Sequence, residues 1–224
     1  AGGAAAADGV ALAAALLWLL HPLQTESVTY ISTRTESFMG CFYLLSLFAF
    51  LRGVESPGRE AAWFGVSFAS AFLAMGSKEI AVSIPLAILG LDRVFVSGSW
   101  RDLWLRRQGF YVLLACLWIF LAISVIESWD RRTTVSGFDA PELTTGVNLK
   151  TQCGILLRYL RLAIWPDALM VDYFGWPLTR AFSDGSLGIL AVAESTASAI
   201  PLWWRRPHVS LAIAFFFALH APTM

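Results

Sequence analysis

The feature that most constrains this 224-residue chain is the alternation of long apolar runs with short polar connectors of two kinds. One kind of connector is rich in arginine, and the other mixes acidic, basic, imidazole and hydroxyl side chains. Only 14% of the residues are charged, whereas soluble domains average about 25%. The mean hydropathy is +0.64. So few charges cannot coat a globule, and the sequence therefore predicts a polytopic membrane protein.

Seven apolar runs approach the length of a membrane-spanning helix, which is about 20 residues. These candidate spans are approximately 4–20, 38–52, 62–76, 80–97, 109–126, 186–204 and 209–222. An eighth apolar run, 151–165, carries Arg158 and Arg161 on one helical face. Two buried arginines would make a crossing costly, so this run is predicted to be an interfacial or re-entrant helix. The expected fold is all-α, a transmembrane helical bundle of about seven spans plus that one helix.

The charge distribution predicts an orientation, because cytoplasmic loops carry an excess of Lys and Arg. The arginine-rich connectors are assigned to the cytoplasm, at 52–61, 98–108 and 205–208. With seven spans, the mixed connectors then all face the other side, at 21–37, 77–79 and 127–185. Residues 1–224 are thus expected to form a single transmembrane domain whose extracytoplasmic loop, 127–185, contains the interfacial helix near 151–165.

The first mixed connector, from His21 to Ser37, holds one histidine, two carboxylates, an arginine and seven Ser or Thr residues. Glu26 could serve as a general base in a dry pocket, and His21 could orient a phosphate or share a proton. The alternative is a solvated loop with a helix cap, because Thr33 and Glu36 have the spacing of a capping box and Ser32 could also cap the next span. The polar groups exceed what capping needs, and both interpretations stay open.

The second mixed connector is the short segment Ser77-Lys78-Glu79 between two closely spaced spans. A tight turn there does not need a charged pair near the membrane boundary. The Lys78 ammonium could bind a lipid phosphate, and the adjacent Glu79 could hold or neutralise it. A snorkelling lysine with its counter-ion explains the same pattern equally well.

The long outer loop contributes further candidates. Asp172 lies among aromatic residues, a pattern found in sugar-binding clefts, although interfacial anchoring is the favoured interpretation. Arg131, Arg132 and Lys150 give this loop three cations, which could meet lipid phosphates or an anionic leaving group, although such charges are more often simply solvated. Asp92 and Arg93 are interpreted as topological charges at a cytoplasmic end.

Several function classes lack support in the sequence. The formal net charge is zero, so nothing indicates a nucleic-acid partner. No zinc-type ligand spacing, P-loop, GxGxxG or GxSxG pattern is present. No metal site is therefore predicted, and soluble nucleotide chemistry is unsupported.

Short motifs in a particular order carry a resemblance to a known family. They are His21-Pro-Leu-Gln-Thr-Glu-Ser-Val28 followed by Arg34-Thr-Glu-Ser37, Ser77-Lys-Glu-Ile-Ala-Val82 with Leu91-Asp-Arg93, Tyr159-Leu-Arg-Leu-Ala-Ile-Trp-Pro166 with Val171-Asp-Tyr-Phe-Gly-Trp-Pro177, and Phe216-Phe-Ala-Leu-His-Ala-Pro-Thr223. Together they resemble the membrane half of bacterial tetratricopeptide-repeat proteins related to the eukaryotic transmembrane O-mannosyltransferases. Those proteins belong to the GT-C glycosyltransferase superfamily, and the resemblance covers nearly all of the chain.

The resemblance implies an enzyme that transfers a hexose, plausibly mannose, from a polyprenyl-phosphate carrier to a protein or glycan hydroxyl. The chemistry would take place on the extracytoplasmic side of a bacterial inner membrane, or of the endoplasmic reticulum. Such enzymes place an acidic residue in the first outer loop as base or metal ligand, so a divalent metal stays open as a cofactor. This chain is expected to be an internal piece that begins after that loop and is inactive alone.

The resemblance also assigns roles to the polar candidates. Glu26 and His21 are the catalytic candidates, with Glu26 assisting removal of the acceptor proton. Lys78 is the first candidate to stabilise the departing phosphate, and the other substrate-binding candidates are Glu79, Arg34, Arg131 and Asp172.

Two other functions stay open. A transporter or flippase for lipid-linked sugar would place polar residues near the middle of the bilayer, where Glu194 is the clearest charge in a predicted span. A non-catalytic anchor for a tetratricopeptide-repeat domain would not need the His21 connector or the Lys78-Glu79 pair.

Overall fold

The structure is a computed structural model that describes residues 2–29, 33–135, 145–167, 169 and 182–220. Every regular element in these ranges is helical, which confirms the all-α fold class. The α-helices are α1 (Gly2–Leu20), α2 (Thr25–Thr29), α3 (Arg34–Glu55), α4 (Glu60–Ser77), α5 (Ile84–Leu91), α6 (Trp100–Val135), α7 (Thr145–Ile164), α8 (Phe182–Arg205) and α9 (Pro207–His220). Short 3₁₀ segments cover Pro22–Gln24 and Glu79–Ser83, and a π-helical turn covers Asp92–Val96.

Each of the seven apolar runs predicted as spans is helical as far as the described residues extend, except at Ser97, the last residue of run 80–97. Run 80–97 is composite, since a 3₁₀ segment leads into α5 and a π turn follows it. Pro85 lies in the first turn of α5, where its missing N–H is tolerated. Two helical stretches, Arg34–Glu55 and Trp100–Ile123, are long and apolar enough to cross a membrane. The shorter apolar helices are Ala5–Leu20 and Pro207–His220, and the full span count stays a prediction.

Helices α3 and α4 form an antiparallel hairpin that is joined by two buried serines. The Ser46 hydroxyl donates to the Ser67 carbonyl at 2.8 Å, and the Ser67 hydroxyl donates to the Ser46 carbonyl at 2.8 Å. Small side chains let the two backbones approach closely, as in membrane helix pairs. Next to this contact the rings of Phe50, Phe64 and Phe110 stack, with centroids 4.8 to 5.9 Å apart. The hairpin and α6 therefore share one aromatic core.

Helix α7 begins earlier than the predicted 151–165 run and packs against α8. A Cβ atom at Gly188 would lie 2.8 Å from the backbone carbonyl carbon of Cys153, so the two helices cross in near backbone contact. Thr151, Leu156 and Leu162 are buried. The interfacial or re-entrant placement of this helix stays a prediction, as does the extracytoplasmic location of 127–185.

A buried carboxylate joins the end of α5 to α6. Asp92 is fully buried, and its Oδ1 accepts a hydrogen bond from Ser97 Oγ at 2.6 Å while Oδ2 accepts one from the Tyr111 hydroxyl at 2.6 Å. Nη1 of Arg107 lies 2.8 Å from both carboxylate oxygens. The interpretation of Asp92 as a topological charge is wrong, because each of its oxygens accepts two bonds inside the fold. The sequence does not predict this ion pair, because nothing distinguishes Arg107 from the other arginines of its connector.

Arg107 is also the residue at which α6 bends. Its φ of −137° and ψ of 22° interrupt the helix and separate 100–106 from the longer remainder. The guanidinium lies 5.9 Å from the centroid of the Phe50 ring, so it contacts α3 as well as Asp92. The ion pair with Asp92 and the contact with Phe50 therefore hold the bend against the end of α5 and against α3.

The helix ends fall into two groups. At one, here called the Lys78 end, Lys78 pairs with Glu36, and Tyr159 contacts His220. At the other, the Arg93 end, guanidinium groups lie against the rings of Trp63, Trp100, Trp203 and Phe50. In the described part of the chain, the first two mixed connectors and the arginine-rich connectors thus lie at separate ends. The membrane surface that each end faces stays a prediction.

Replacing Asp92 with Asn should lower the free energy of unfolding by about 3 kcal/mol, because the change leaves the Arg107 charge buried without a counter-ion. Asp102→Asn is the matched control, since Asp102 is exposed and exchanges hydrogen bonds with Ser99, which precedes α6; its cost should stay below about 1 kcal/mol. Thermal unfolding of the purified full-length protein measures both. Equal losses in the two variants would contradict a structural ion pair.

Candidate functional site

The first connector folds back onto the end of α7 through His21. Its Nε2 lies 3.2 Å from the Ala163 carbonyl oxygen, and its Nδ1 lies 3.3 Å from the Leu23 amide nitrogen. Because a carbonyl only accepts and an amide N–H only donates, Nε2 carries a proton and Nδ1 accepts one hydrogen bond. Pro22 then begins the 3₁₀ turn. His21 is held in one tautomer with both nitrogens bound to backbone, which suits a positioning role.

The same connector is also attached to α3. The Ser37 hydroxyl donates to the Ser27 carbonyl at 3.2 Å, and the Ser27 hydroxyl donates to the Gln24 carbonyl at 3.0 Å. Thr33 precedes α3 but its side chain makes no capping hydrogen bond. The Thr33–Glu36 capping box is therefore wrong, and the alternative cap at Ser32 lies outside the described residues. The connector is instead docked between α3 and α7.

Lys78 forms an ion pair with Glu36, 42 positions earlier in the chain. Glu36 lies in the first turn of α3, where the helix dipole favours a carboxylate, and Lys78 follows the last turn of the antiparallel α4. Their side chains are 43% and 33% exposed, so the pair is accessible from the Lys78 end. The hairpin geometry thus gives Lys78 a counter-ion other than the adjacent Glu79 that the sequence suggested.

The remaining predicted site residues are less closely grouped. Arg34 and Glu79 are exposed at the same ends of α3 and α4 that carry the ion pair. Glu26 lies on α2 and Arg131 on α6, but their side chains are outside the described part of the structure, and Asp172 is outside it altogether. The structure therefore brings together the connector of His21, Arg34 and the Lys78-Glu79 segment. All seven assignments stay predictions.

Two contacts at the Lys78 end were not predicted from the sequence: the ion pair between Glu36 and Lys78, and the contact between Tyr159 and His220. Nδ1 of His220 lies 2.7 Å from the Phe216 carbonyl oxygen, and its ring centroid lies 5.8 Å from that of Tyr159. This contact brings the end of α9 beside the end of α7, which also holds His21. An acidic residue in the first turn of one helix and a lysine at the end of its antiparallel neighbour could have indicated the ion pair. Nothing comparable indicates the contact between α7 and α9.

The arrangement supplies a paired but accessible ammonium beside a docked polar connector. An ammonium has three N–H donors, so Lys78 can contact Glu36 and a phosphate oxygen together. Among the residues that the structure describes, no three His, Cys, Asp or Glu side chains are grouped to hold a metal ion.

The profile of the family described as dolichyl-phosphate-mannose-protein mannosyltransferase matches residues 7–129, more than half of the chain. The chain belongs to this mannosyltransferase family. No curated protein and no solved structure matches the chain significantly. The family match confirms the resemblance to GT-C membrane glycosyltransferases, and it includes both His21 and Lys78.

In this chain, reversing either charge of the Glu36–Lys78 pair should destabilise the fold by roughly 1 kcal/mol, because like charges would then be adjacent. Combining Glu36→Lys with Lys78→Glu should restore part of the loss, because the ion pair re-forms but its two charges then oppose the dipoles of α3 and α4. The corresponding exchange of Arg52 and Glu55, which pair at 3.5 Å and are more exposed, should show a smaller coupling. Thermal midpoints of the full-length protein report the coupling, and a double variant no more stable than the single ones would show that the pair contributes nothing.

Proposed function

We propose that this chain forms the membrane part of a glycosyltransferase that moves a hexose such as mannose from a polyprenyl-phosphate carrier to a protein or glycan hydroxyl. The observation that carries the proposal is the family match over 7–129, which spans the docked connector and Lys78. The proposed site is the Lys78 end, on the extracytoplasmic surface of the membrane.

The reaction needs two kinds of group. The acceptor oxygen attacks the anomeric carbon of the sugar as the bond from that carbon to the phosphate oxygen breaks. The acceptor hydroxyl proton passes to a carboxylate, and polyprenyl phosphate leaves with the electrons of the broken bond. Because negative charge grows on the phosphate during this step, fixed cations near it lower the barrier. A lipid phosphate leaves readily, so no nucleotide pocket is required.

The candidates divide between these tasks. Glu26 assists removal of the proton, and His21 positions its connector against the end of α7 through Ala163. Lys78, oriented by Glu36, stabilises the departing phosphate. Arg34, which begins the helix that carries Glu36, is a further cation at the Lys78 end. The other members of the proposed substrate set are Glu79, Arg131 and Asp172.

Lys78→Gln should lower transfer from polyprenyl-phosphate mannose by about 10²-fold, mainly in kcat, because it removes a charge that acts on the leaving phosphate. Glu26→Gln should lower transfer by a similar factor, about 10²-fold, by removing a proton acceptor. The assay uses membranes containing the full-length protein, with expression checked in parallel. Glu60→Gln is the control, since Glu60 lies at the opposite end of α4 and should leave transfer unchanged. Near-normal transfer in both test variants would refute the site.

Sidedness can be tested separately by cysteine labelling. In a background that replaces Cys41, Cys116 and Cys153, Ser27→Cys and Ser56→Cys place matched thiols near opposite ends of α3. That helix has 22 residues, so its ends are about 33 Å apart. An impermeant maleimide should label position 27 from the extracytoplasmic side of sealed vesicles, and position 56 only after permeabilisation. Labelling of position 27 from the cytoplasmic side would exclude the proposed orientation.

A further inference from the structure

The Arg93 end holds a guanidinium whose charge has no acidic partner in the described part of the chain. Arg93 follows Asp92 directly, but the Asp92 carboxylate is buried with Arg107. The nearby Asp102 carboxylate accepts a hydrogen bond from Ser99 at 2.7 Å. No ion pair joins Arg93 to a carboxylate of any described residue, and its buried Nε donates no hydrogen bond to them. The group therefore keeps both its charge and its hydrogen-bonding capacity.

Two tryptophans hold this guanidinium in place. Its central carbon lies 5.6 Å from the Trp100 ring centroid and 6.0 Å from that of Trp203. The two rings stack on each other, with centroids 6.1 Å apart and an interplanar angle of 17°. Cation–π contacts of this kind orient an arginine without neutralising it. The guanidinium is therefore fixed before any ligand arrives.

The position of the two rings indicates the depth of the site. Trp100 begins α6 and is half exposed, and Trp203 lies in the last turn of α8. Indole rings at helix ends favour the headgroup level of a bilayer, where phospholipid phosphates lie. The neighbouring side chains of Arg101, Arg205 and Arg206 are exposed and add positive charge. A planar guanidinium matches two phosphate oxygens with parallel hydrogen bonds.

We propose that Arg93, held by Trp100 and Trp203, binds the phosphate of an anionic membrane phospholipid at the Arg93 end. This site is separate from the donor site at the Lys78 end and does not rest on transfer activity. The net negative charge of the lipid matters, because the zwitterionic phospholipids bring a choline or ethanolamine cation into a region already rich in arginine.

Lipid binding to the purified full-length protein can be measured by native mass spectrometry with titrated phosphatidylglycerol or phosphatidylcholine. Wild type should prefer phosphatidylglycerol, and Arg93→Gln should lose roughly tenfold in its affinity, as expected for a lost charge-assisted contact. Arg52→Gln is the matched control: Arg52 also lies over a tryptophan, Trp63 at 5.9 Å, but it already pairs with Glu55. That variant should bind like wild type.

Two further measurements complete the test: a second Arg93 variant and competition by inorganic phosphate. Arg93→Lys preserves the positive charge but not the planar guanidinium, so it should lose part of the preference for phosphatidylglycerol. If Arg93→Gln does not fold, the lipid preference of Arg93→Lys tests the proposal instead. Inorganic phosphate should not displace phosphatidylglycerol, since it lacks the acyl chains that place the phosphate at this depth. Equal binding of the two lipids by wild type, full preference in both Arg93 variants, or ready displacement by inorganic phosphate would each overturn the proposal.

Discussion

The ion pair between the buried carboxylate of Asp92 and Arg107 is the interaction on which much of the bundle geometry depends. A fully buried charge is tolerable only with a partner and with its oxygens satisfied, and Arg107, Ser97 and Tyr111 meet both conditions. Because Asp92 opens the π turn after α5 and Arg107 sits at the bend in α6, one ion pair sets the direction of both helices. The positions of the polar ends of the neighbouring helices therefore depend on this ion pair.

The cations at the two ends of the bundle are positioned by different kinds of interaction. Lys78 has a carboxylate partner on the adjacent helix, whereas Arg93 lies against two indole rings. A carboxylate neutralises as well as orients, while an aromatic ring mainly orients. The two cations therefore differ in the anion they can attract. The paired ammonium suits a charge that develops during a reaction, and the unneutralised guanidinium suits a resident lipid phosphate.

Much of the fold could be predicted because apolar run length is a local property of the sequence. The helical character of each predicted span and the separation of the connectors both follow from such local patterns. The partner of Lys78 is not a local property, because Glu36 lies on another helix and becomes a candidate only once α3 and α4 are taken as antiparallel neighbours. The sequence itself offers Glu79 as a nearer counter-ion. The burial of Asp92 is hard to predict for a similar reason: it depends on a bend at Arg107 that no local pattern marks.

The Glu36–Lys78 pair also bears on how the proposed chemistry would be arranged. An isolated ammonium near a membrane boundary is mobile and must be reoriented when a phosphate arrives, and that reorganisation adds to the barrier. Pairing with Glu36 fixes the ammonium on the hairpin of α3 and α4 beforehand, at the cost of weaker attraction for the bound donor. Catalysis depends on stabilisation that grows toward the transition state, not on tight binding of the substrate. A positioned, partly neutralised lysine therefore suits a leaving phosphate better than a more strongly attracting but disordered one.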